Sequence, residues 1–295
     1  MKDEPYILSA SRRMDLPAFQ LPAFLQALER GSLDVPHPFT GQSQTIALRG
    51  PQVAGVVFWT RRPAALLPHL DTLRRAYGER LRVQATLTGL PRLFEPRAPT
   101  ADETVAALAD LSRALGAQAL TWRLDPILLS SETPPAWWLR TFDTLANRLT
   151  GHVREVVVSW LDLHARTRRN LLPLEGAGLR VSNPTAALRR ELLDGLVELA
   201  ARHGLPLAAC CEPEMLEHPA LRPAACLDAT WFEERNGWLP GALGSAPSRP
   251  GCACGRNRDI GVYQSCAFGC RYCYANSRPR EQAPEDPWAS SRPLP

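Results

Sequence analysis

The sequence predicts an α/β fold, a single (β/α) barrel or partial barrel of TIM type. Three observations carry that expectation. Short apolar runs alternate with stretches at helical spacing, the pattern of parallel βαβ units. Six or seven such units fit 295 residues better as one sheet than as two lobes. Polar residues follow nearly every apolar run, as they do where strand ends carry a site.

The elements follow in order. Residues 6–11 read as a buried strand, and apolar spacing predicts a helix over 18–30 that Gly31 stops. Residues 32–52 read as loop, with Pro36, Pro38, Gly41, Gly50 and Pro51. The run 53–59 is continuously apolar, as in parallel strands covered on both faces. A helix over 64–76 and a strand over 82–87 come next. Thr100 and Glu103 have capping-box spacing before a helix over 101–115, which Gly116 ends. Strands at 119–124 and 155–160 flank a helix at 134–150. Residues 165–182 are arginine-rich and show no clear period. A helix at 185–203 precedes a strand at 206–210, residues 236–250 read as an irregular connection, and 259–263 read as a last strand. The domain is expected to span 1–276, with a proline-rich, disordered tail over 277–295. Ser11, Arg12, Arg13, Thr60, Arg61, Thr88, Arg123, Asp125, Asp162, His164 and Glu212 all follow strands and are expected at one mouth.

Composition narrows the classes. No apolar run reaches membrane-spanning length, and the N-terminus lacks the pattern of a signal peptide, so a cytoplasmic protein is expected. Lys2 is the only lysine, which leaves a pyridoxal-phosphate enzyme without a suitable Schiff-base residue. A net charge of +4 permits nucleic-acid binding without arguing for it. Eight cysteines in a reducing compartment point to metal or redox chemistry rather than disulfides.

The most informative stretch is Cys266-Ala-Phe-Gly-Cys270-Arg-Tyr-Cys273-Tyr-Ala-Asn276. Thiolates are soft ligands, and cysteines this close suit iron–sulfur clusters or zinc. Three ligands on one loop fill three corners of a 4Fe-4S cluster and leave one iron open. Gly269 would let the loop turn tightly. A zinc site wants four ligands, which Cys252-Ala-Cys254 would complete, so that alternative stands.

The C-x3-C-x2-C spacing, with Tyr272 before its last cysteine, resembles the radical S-adenosylmethionine superfamily. Glu95-Pro-Arg-Ala-Pro-Thr100 and Arg123-Leu-Asp-Pro-Ile127 look like the middle of its spore-photoproduct-lyase-like group, often labelled DNA repair photolyases. Phe58-Trp-Thr-Arg-Arg-Pro63 is similar to that group's Thr-Lys segment, with Arg61 where lysine is usual. In those relatives the cysteine motif comes first; here it comes last. The resemblance therefore implies a circularly permuted barrel whose cluster-binding strand and loop are C-terminal. From Ser9-Ala-Ser-Arg-Arg13 to Tyr272-Cys-Tyr-Ala-Asn276 the chain also resembles an uncharacterised bacterial family, the domain of unknown function 1848, which supplies no substrate.

The resemblance implies that Cys266, Cys270 and Cys273 hold a 4Fe-4S cluster whose open iron binds S-adenosylmethionine. An external flavodoxin- or ferredoxin-like donor would supply the electron that yields a 5′-deoxyadenosyl radical. Ser9, Ser11 and Arg12 are expected near the methionine end, Arg123 at its carboxylate, and Asp125 at the ribose. Tyr272, Tyr274 and Asn276 are expected to contact the cofactor, the last two towards the adenine. Cys211, Cys226, Cys252 and Cys254 are candidates for a second iron–sulfur cluster. Their alternatives are small buried hydrophobes for Cys210 and Cys226 and a redox pair or zinc ligands for Cys252 and Cys254. The photolyase-like resemblance raises nucleic acid as substrate, and Arg154, Arg166, Arg168 and Arg169 are the residues that would face phosphate, or else a solvated surface. A non-catalytic iron–sulfur or zinc protein, sensing redox state, transferring electrons or binding nucleic acid, is the rival class.

Overall fold

The computed structural model describes residues 4–181 and 184–288. Eight parallel strands form one sheet. In chain order they are β1 (Tyr6–Ala10), β4 (Val53–Thr60), β5 (Leu81–Thr86), β6 (Leu120–Ile127), β7 (Glu155–Trp160), β8 (Leu207–Ala209), β9 (Arg222–Pro223) and β10 (Asn257–Asp259). Their order across the sheet is β10-β1-β4-β5-β6-β7-β8-β9. Among the described residues β9 and β10 are not paired with each other, so hydrogen bonds do not close the sheet into a ring. β2 (Ser32–Pro36) and β3 (Ser43–Ala47) make a separate antiparallel hairpin where the sequence predicts only loop. Only β2 alternates in burial, over five residues, and the first three residues of β3 are all exposed, so no periodic signal stands out.

The helices are α1 (Leu16–Phe19), α2 (Leu21–Arg30), α3 (Leu70–Tyr77), α4 (Ala101–Leu115), α5 (Pro135–Leu149), α6 (Ala165–Gly176), α7 (Ala186–Arg202) and α8 (Ala229–Asn236). The expected helix over 18–30 is two helices, broken at Gln20, where Pro22 in the first turn of α2 withholds a backbone donor. The stretch expected as one helix over 64–76 begins as a 3-10 turn, Pro63–His69, for the same reason at Pro68. α4 begins at the Thr100–Glu103 capping box and ends at Gly116, as its sequence predicts. Gly31 ends α2 in the left-handed conformation. α6 occupies part of the arginine-rich stretch that gave no clear period.

Two layers cover the sheet. Leu8, Val56, Phe58, Val83, Trp122, Leu124, Val156 and Val158 share a large core with residues of the helices. The alternate residues Ile7, Val57, Val157 and Ala208 face a second cluster, which the segment after β8 supplies: Cys226, Leu227, Trp231, Phe232, Leu243 and Cys254. Arg82 lies on this second side, fully buried. Its guanidinium meets Thr121 Oγ1 at 3.1 Å, Glu155 at 3.5 Å and Asp228 at 3.6 Å, and lies 5.3 Å from the Trp231 ring centre. Burial lowers its pKa, and the two carboxylates oppose that shift.

Gly55 shows how closely α8 approaches β4. A Cβ there would stand 2.3 Å from the Arg80 carbonyl oxygen and 2.4 Å from Phe232 Cε1. Residues 277–288, expected without structure, contain no helix or strand but are tied to the domain. Gln20 Nε2 donates to Pro284 O at 2.6 Å, and Trp288 Nε1 donates to Ile260 O at 2.7 Å. Trp288 supplies the apolar surface that a proline count overlooks. The rest of the expected tail, 289–295, lies outside the described residues. No helix among the described residues is long and apolar enough to cross a membrane.

Gly55→Ala is expected to cost about 1–3 kcal/mol or more by overpacking. Urea unfolding reads this directly, and an unchanged midpoint would mean that α8 does not press on β4.

Candidate metal centre

The cysteine-bearing segment enters through β10, which pairs in parallel with β1: Ile7 opposes Asn257 and Ser9 opposes Asp259. The strand lies two residues earlier than the sequence predicts. Past Asp259 the backbone turns into the loop instead of continuing extended. Asp259 makes that turn. Its Oδ2 accepts from Ser9 Oγ at 2.5 Å and from the Arg12 backbone N–H at 3.0 Å, and its Oδ1 accepts from Gly261 N–H at 2.9 Å. Arg12 and Arg13 approach the same carboxylate at 3.4 and 3.8 Å. A Cβ on Gly261 would fall 1.7 Å from Ser11 Oγ, so only glycine lets the two segments pass.

The loop beyond is held at many points. Asn276 Nδ2 donates to Cys266 O at 2.7 Å, and Gln264 N–H donates to Ala275 O at 3.1 Å, which closes the loop on itself. Asn170 of α6 donates to both Cys273 O and Asn276 O at 3.0 Å. From the segment after β5, Phe94 O accepts from Arg271 N–H at 2.9 Å and Arg97 Nε donates to Ala267 O at 2.7 Å. Gly269 has φ +70°, and a Cβ on it would meet Arg97 Nη2 at 2.4 Å.

One buried charge network sits beneath. Arg61, after β4, pairs with Glu95 at 2.9 Å, and the Tyr272 hydroxyl bonds to both. Thr88 Oγ1 donates to Glu95 at 2.6 Å. Asp15 accepts from Arg61 N–H at 2.6 Å, Thr60 Oγ1 at 2.7 Å and Ala18 N–H at 3.1 Å. Burial nevertheless pushes its carboxyl up to about 6.

Cys266, Cys270 and Cys273 stand within electrostatic reach of one another. Burial raises all three thiols, Cys270 to about 12. Counter-forces favour the thiolates: Arg61 acts on Cys270, the Phe268 N–H on Cys266, and the Asn276 and Ala275 N–H groups on Cys273. Among the described residues no three or more His, Cys, Asp or Glu side chains converge as the donors of a single metal ion. A four-iron cluster makes a different demand, because each thiolate meets its own iron. Three soft donors on one closed loop, with amide N–H groups and a buried guanidinium aimed at sulfur, fit such a group.

The other expected contacts divide. Ser9, Ser11 and Arg12 lie beside the cysteine strand, and Tyr274, half exposed, donates its hydroxyl to Arg12 O. Asn276 packs under the loop, with its Oδ1 buried and unpartnered among the described residues. Tyr272 turns its hydroxyl to Glu95 and Arg61 instead of to open space. Arg123 is also engaged internally: it pairs with Asp125 and bonds to Gln84 Oε1 at 3.3 Å and Cys226 Sγ at 2.9 Å. Asp125 further accepts from Ser159. The four arginines singled out for phosphate do not share a face. Arg154 precedes β7 and pairs with Asp228 at 3.0 Å. Arg166, Arg168 and Arg169 lie in α6 beyond the strand's other end, about 20 Å along.

Cys211, Cys226, Cys252 and Cys254 come together, and Cys210 joins them. Sequence reasoning also missed Asn170, Thr167 and Asp15. Asn170 and Thr167, whose hydroxyl donates to Tyr272 O at 3.4 Å, lie in the arginine-rich helix, and Asp15 lies in the loop before the expected helix.

A parallel α/β sheet with a closed three-cysteine loop at the C-terminal edge of its strands defines an α/β protein with a cysteine-rich candidate site. The chain belongs to the family described as domain of unknown function (DUF1848), whose profile matches residues 7–275. No curated protein matches it. Among solved structures, L-talarate dehydratase from Polaromonas sp. JS666, complexed with Mg and L-glucarate, is similar at 12% identity and a TM-score of 0.23. That match covers 61% of this chain and 48% of the other, so the chain spans about half the length of that relative, and the likeness carries no argument.

Glu95→Ala would strand the Arg61 guanidinium, 13% exposed, without its carboxylate. The expected loss is about 3–5 kcal/mol, measured by denaturant unfolding; a loss under about 1 kcal/mol, the range of exposed pairs, would mean that solvent already reaches it.

Proposed function

We propose that the protein is an iron–sulfur enzyme of radical S-adenosylmethionine type, on a permuted partial barrel. The observation that carries this reading is the closed loop bearing Cys266, Cys270 and Cys273 at the strand ends, cradled by the Phe94–Arg97 segment. When bound, a 4Fe-4S cluster with one open iron supplies reductive cleavage of S-adenosylmethionine to a 5′-deoxyadenosyl radical, with an electron from a flavodoxin- or ferredoxin-like donor.

The chain's own part is to hold and orient. Cys266, Cys270 and Cys273 are the ligands. Asn170, Asn276 and Arg97 fix the loop's shape by gripping its carbonyls. Arg61 offsets thiolate charge beside Cys270, and Tyr272 positions that guanidinium. Ser9, Ser11 and Arg12 form the edge that the methionine end would meet, with Tyr274 and Asn276 near the adenine. A ligand carboxylate at Arg123 would compete with Asp125, and ribose hydroxyls at Asp125 with Ser159. Affinity there depends on the pair opening. The substrate stays a separate question; nucleic acid is one class to screen.

The test is anaerobic reconstitution with iron and sulfide, reduction, and addition of S-adenosylmethionine. The expected result is 5′-deoxyadenosine and a changed paramagnetic signal from the wild type, with product at least ~100-fold lower from Cys270→Ser, the scale on which losing a reaction-specific interaction is read. A cluster signal indifferent to the cofactor would instead mean an electron carrier or redox sensor.

A further inference from the structure

Five cysteines outside the loop gather on the second side of the sheet. Three separate segments bring them there: Cys210 and Cys211 directly after β8, Cys226 before α8, and Cys252 and Cys254 before β10. Cys210 Sγ lies 3.9 Å from Cys226 Sγ, and Cys211 is the next residue in the chain after Cys210. Cys226 and Cys254 lie in one buried cluster, with Cys210 and Cys252 packed against it. The loops are pressed together to achieve this. Cys211 holds a left-handed backbone at φ +57°, and a Cβ on Gly251 would lie 3.4 Å from Cys211 Cα.

Cations lie near these sulfurs. Arg123, itself buried, donates to Cys226 Sγ at 2.9 Å. Arg249 interacts with Cys211, and Arg12 lies within electrostatic reach of Cys254. Cys210, Cys226, Cys252 and Cys254 share an apolar cluster, but Cys210 and Cys226 lie sulfur to sulfur and a buried guanidinium donates to Cys226. Guanidinium donors at sulfur stabilise thiolates and tune the potential of a cluster that they hold.

We propose that this pocket holds a second iron–sulfur cluster, ligated by four of Cys210, Cys211, Cys226, Cys252 and Cys254. Two thiolates on one tetrahedral metal atom stand about 3.8 Å apart for bonds of about 2.3 Å, which matches the Cys210–Cys226 separation. Among the described residues the sulfurs do not surround one point, as suits a centre with more than one metal atom. Arg12 links the two sites, because its backbone oxygen accepts from Tyr274, next to Cys273.

The proposal does not depend on S-adenosylmethionine chemistry, and its test separates the two. The full chain carrying Cys266→Ser, Cys270→Ser and Cys273→Ser is reconstituted anaerobically, and iron, zinc and acid-labile sulfide are counted per chain. Equal iron and sulfide, roughly two or four of each, is the expected result. Adding Cys252→Ser and Cys254→Ser should remove both. No iron in the triple variant, or one zinc without sulfide, overturns the proposal, as does iron that survives the added pair. The wild type guards against misfolding of the variants: about four iron per chain in total would overturn it too. Failure of the cofactor reading would appear elsewhere, as a wild type that keeps its iron but does not cleave S-adenosylmethionine.

Discussion

Everything at the C-terminal edge of the sheet depends on one carboxylate. Asp259 accepts from Ser9, Arg12 and Gly261 and attracts two guanidiniums, while almost none of it meets water. β10 is only three residues long, and three ladder pairings are a weak hold on an edge strand. The charge-assisted bonds to Asp259 make up what the ladder lacks. They set where the strand stops, and the stop sets where the cysteine loop begins. Gly261 then has to slip past Ser11 with no room for a side chain.

Interior charge is the second organising constraint. Arg61, Arg82 and Arg123 are all largely buried, and each meets a carboxylate: Glu95, then Glu155 with Asp228, then Asp125. Removing a guanidinium from water is costly unless its donors are matched. The pairs therefore fix which strand ends can be neighbours. They also place positive charge beside two groups of thiols, Arg61 near Cys270 and Arg123 against Cys226.

Much of this was legible in the sequence, for identifiable reasons. β7 and α4 were clear because a run of three β-branched valines, Val156 to Val158, and a capping box are local signals. The hairpin β2–β3 and the helix α8 were not, because short elements leave little periodicity and α8 is anchored by tertiary contacts at Gly55 and Ala54. The cysteine loop was legible from its spacing; its cradle was only partly so. Glu95 and Arg97 stood out by resemblance, but nothing in an arginine-rich stretch marked Asn170 as the residue that grips two carbonyls. Cys210 was the clearest omission. It reads as a strand residue, yet the strand ends at Ala209 and turns its sulfur towards Cys226.

The pairing of β1 with β10 joins residues about 250 positions apart. Closing a loop of that length in one step costs roughly 5 kcal/mol of chain entropy, and contacts so distant in sequence form slowly. The intervening strands lower that barrier by adding one neighbour at a time, β4 against β1 and β5 against β4, so the edge of β1 stays open until the others are in place. In a growing chain the three loop thiols emerge after the surface that receives them. Their partners Glu95, Arg97 and Asn170 all precede them in the chain, so the residues that receive the loop are made before it.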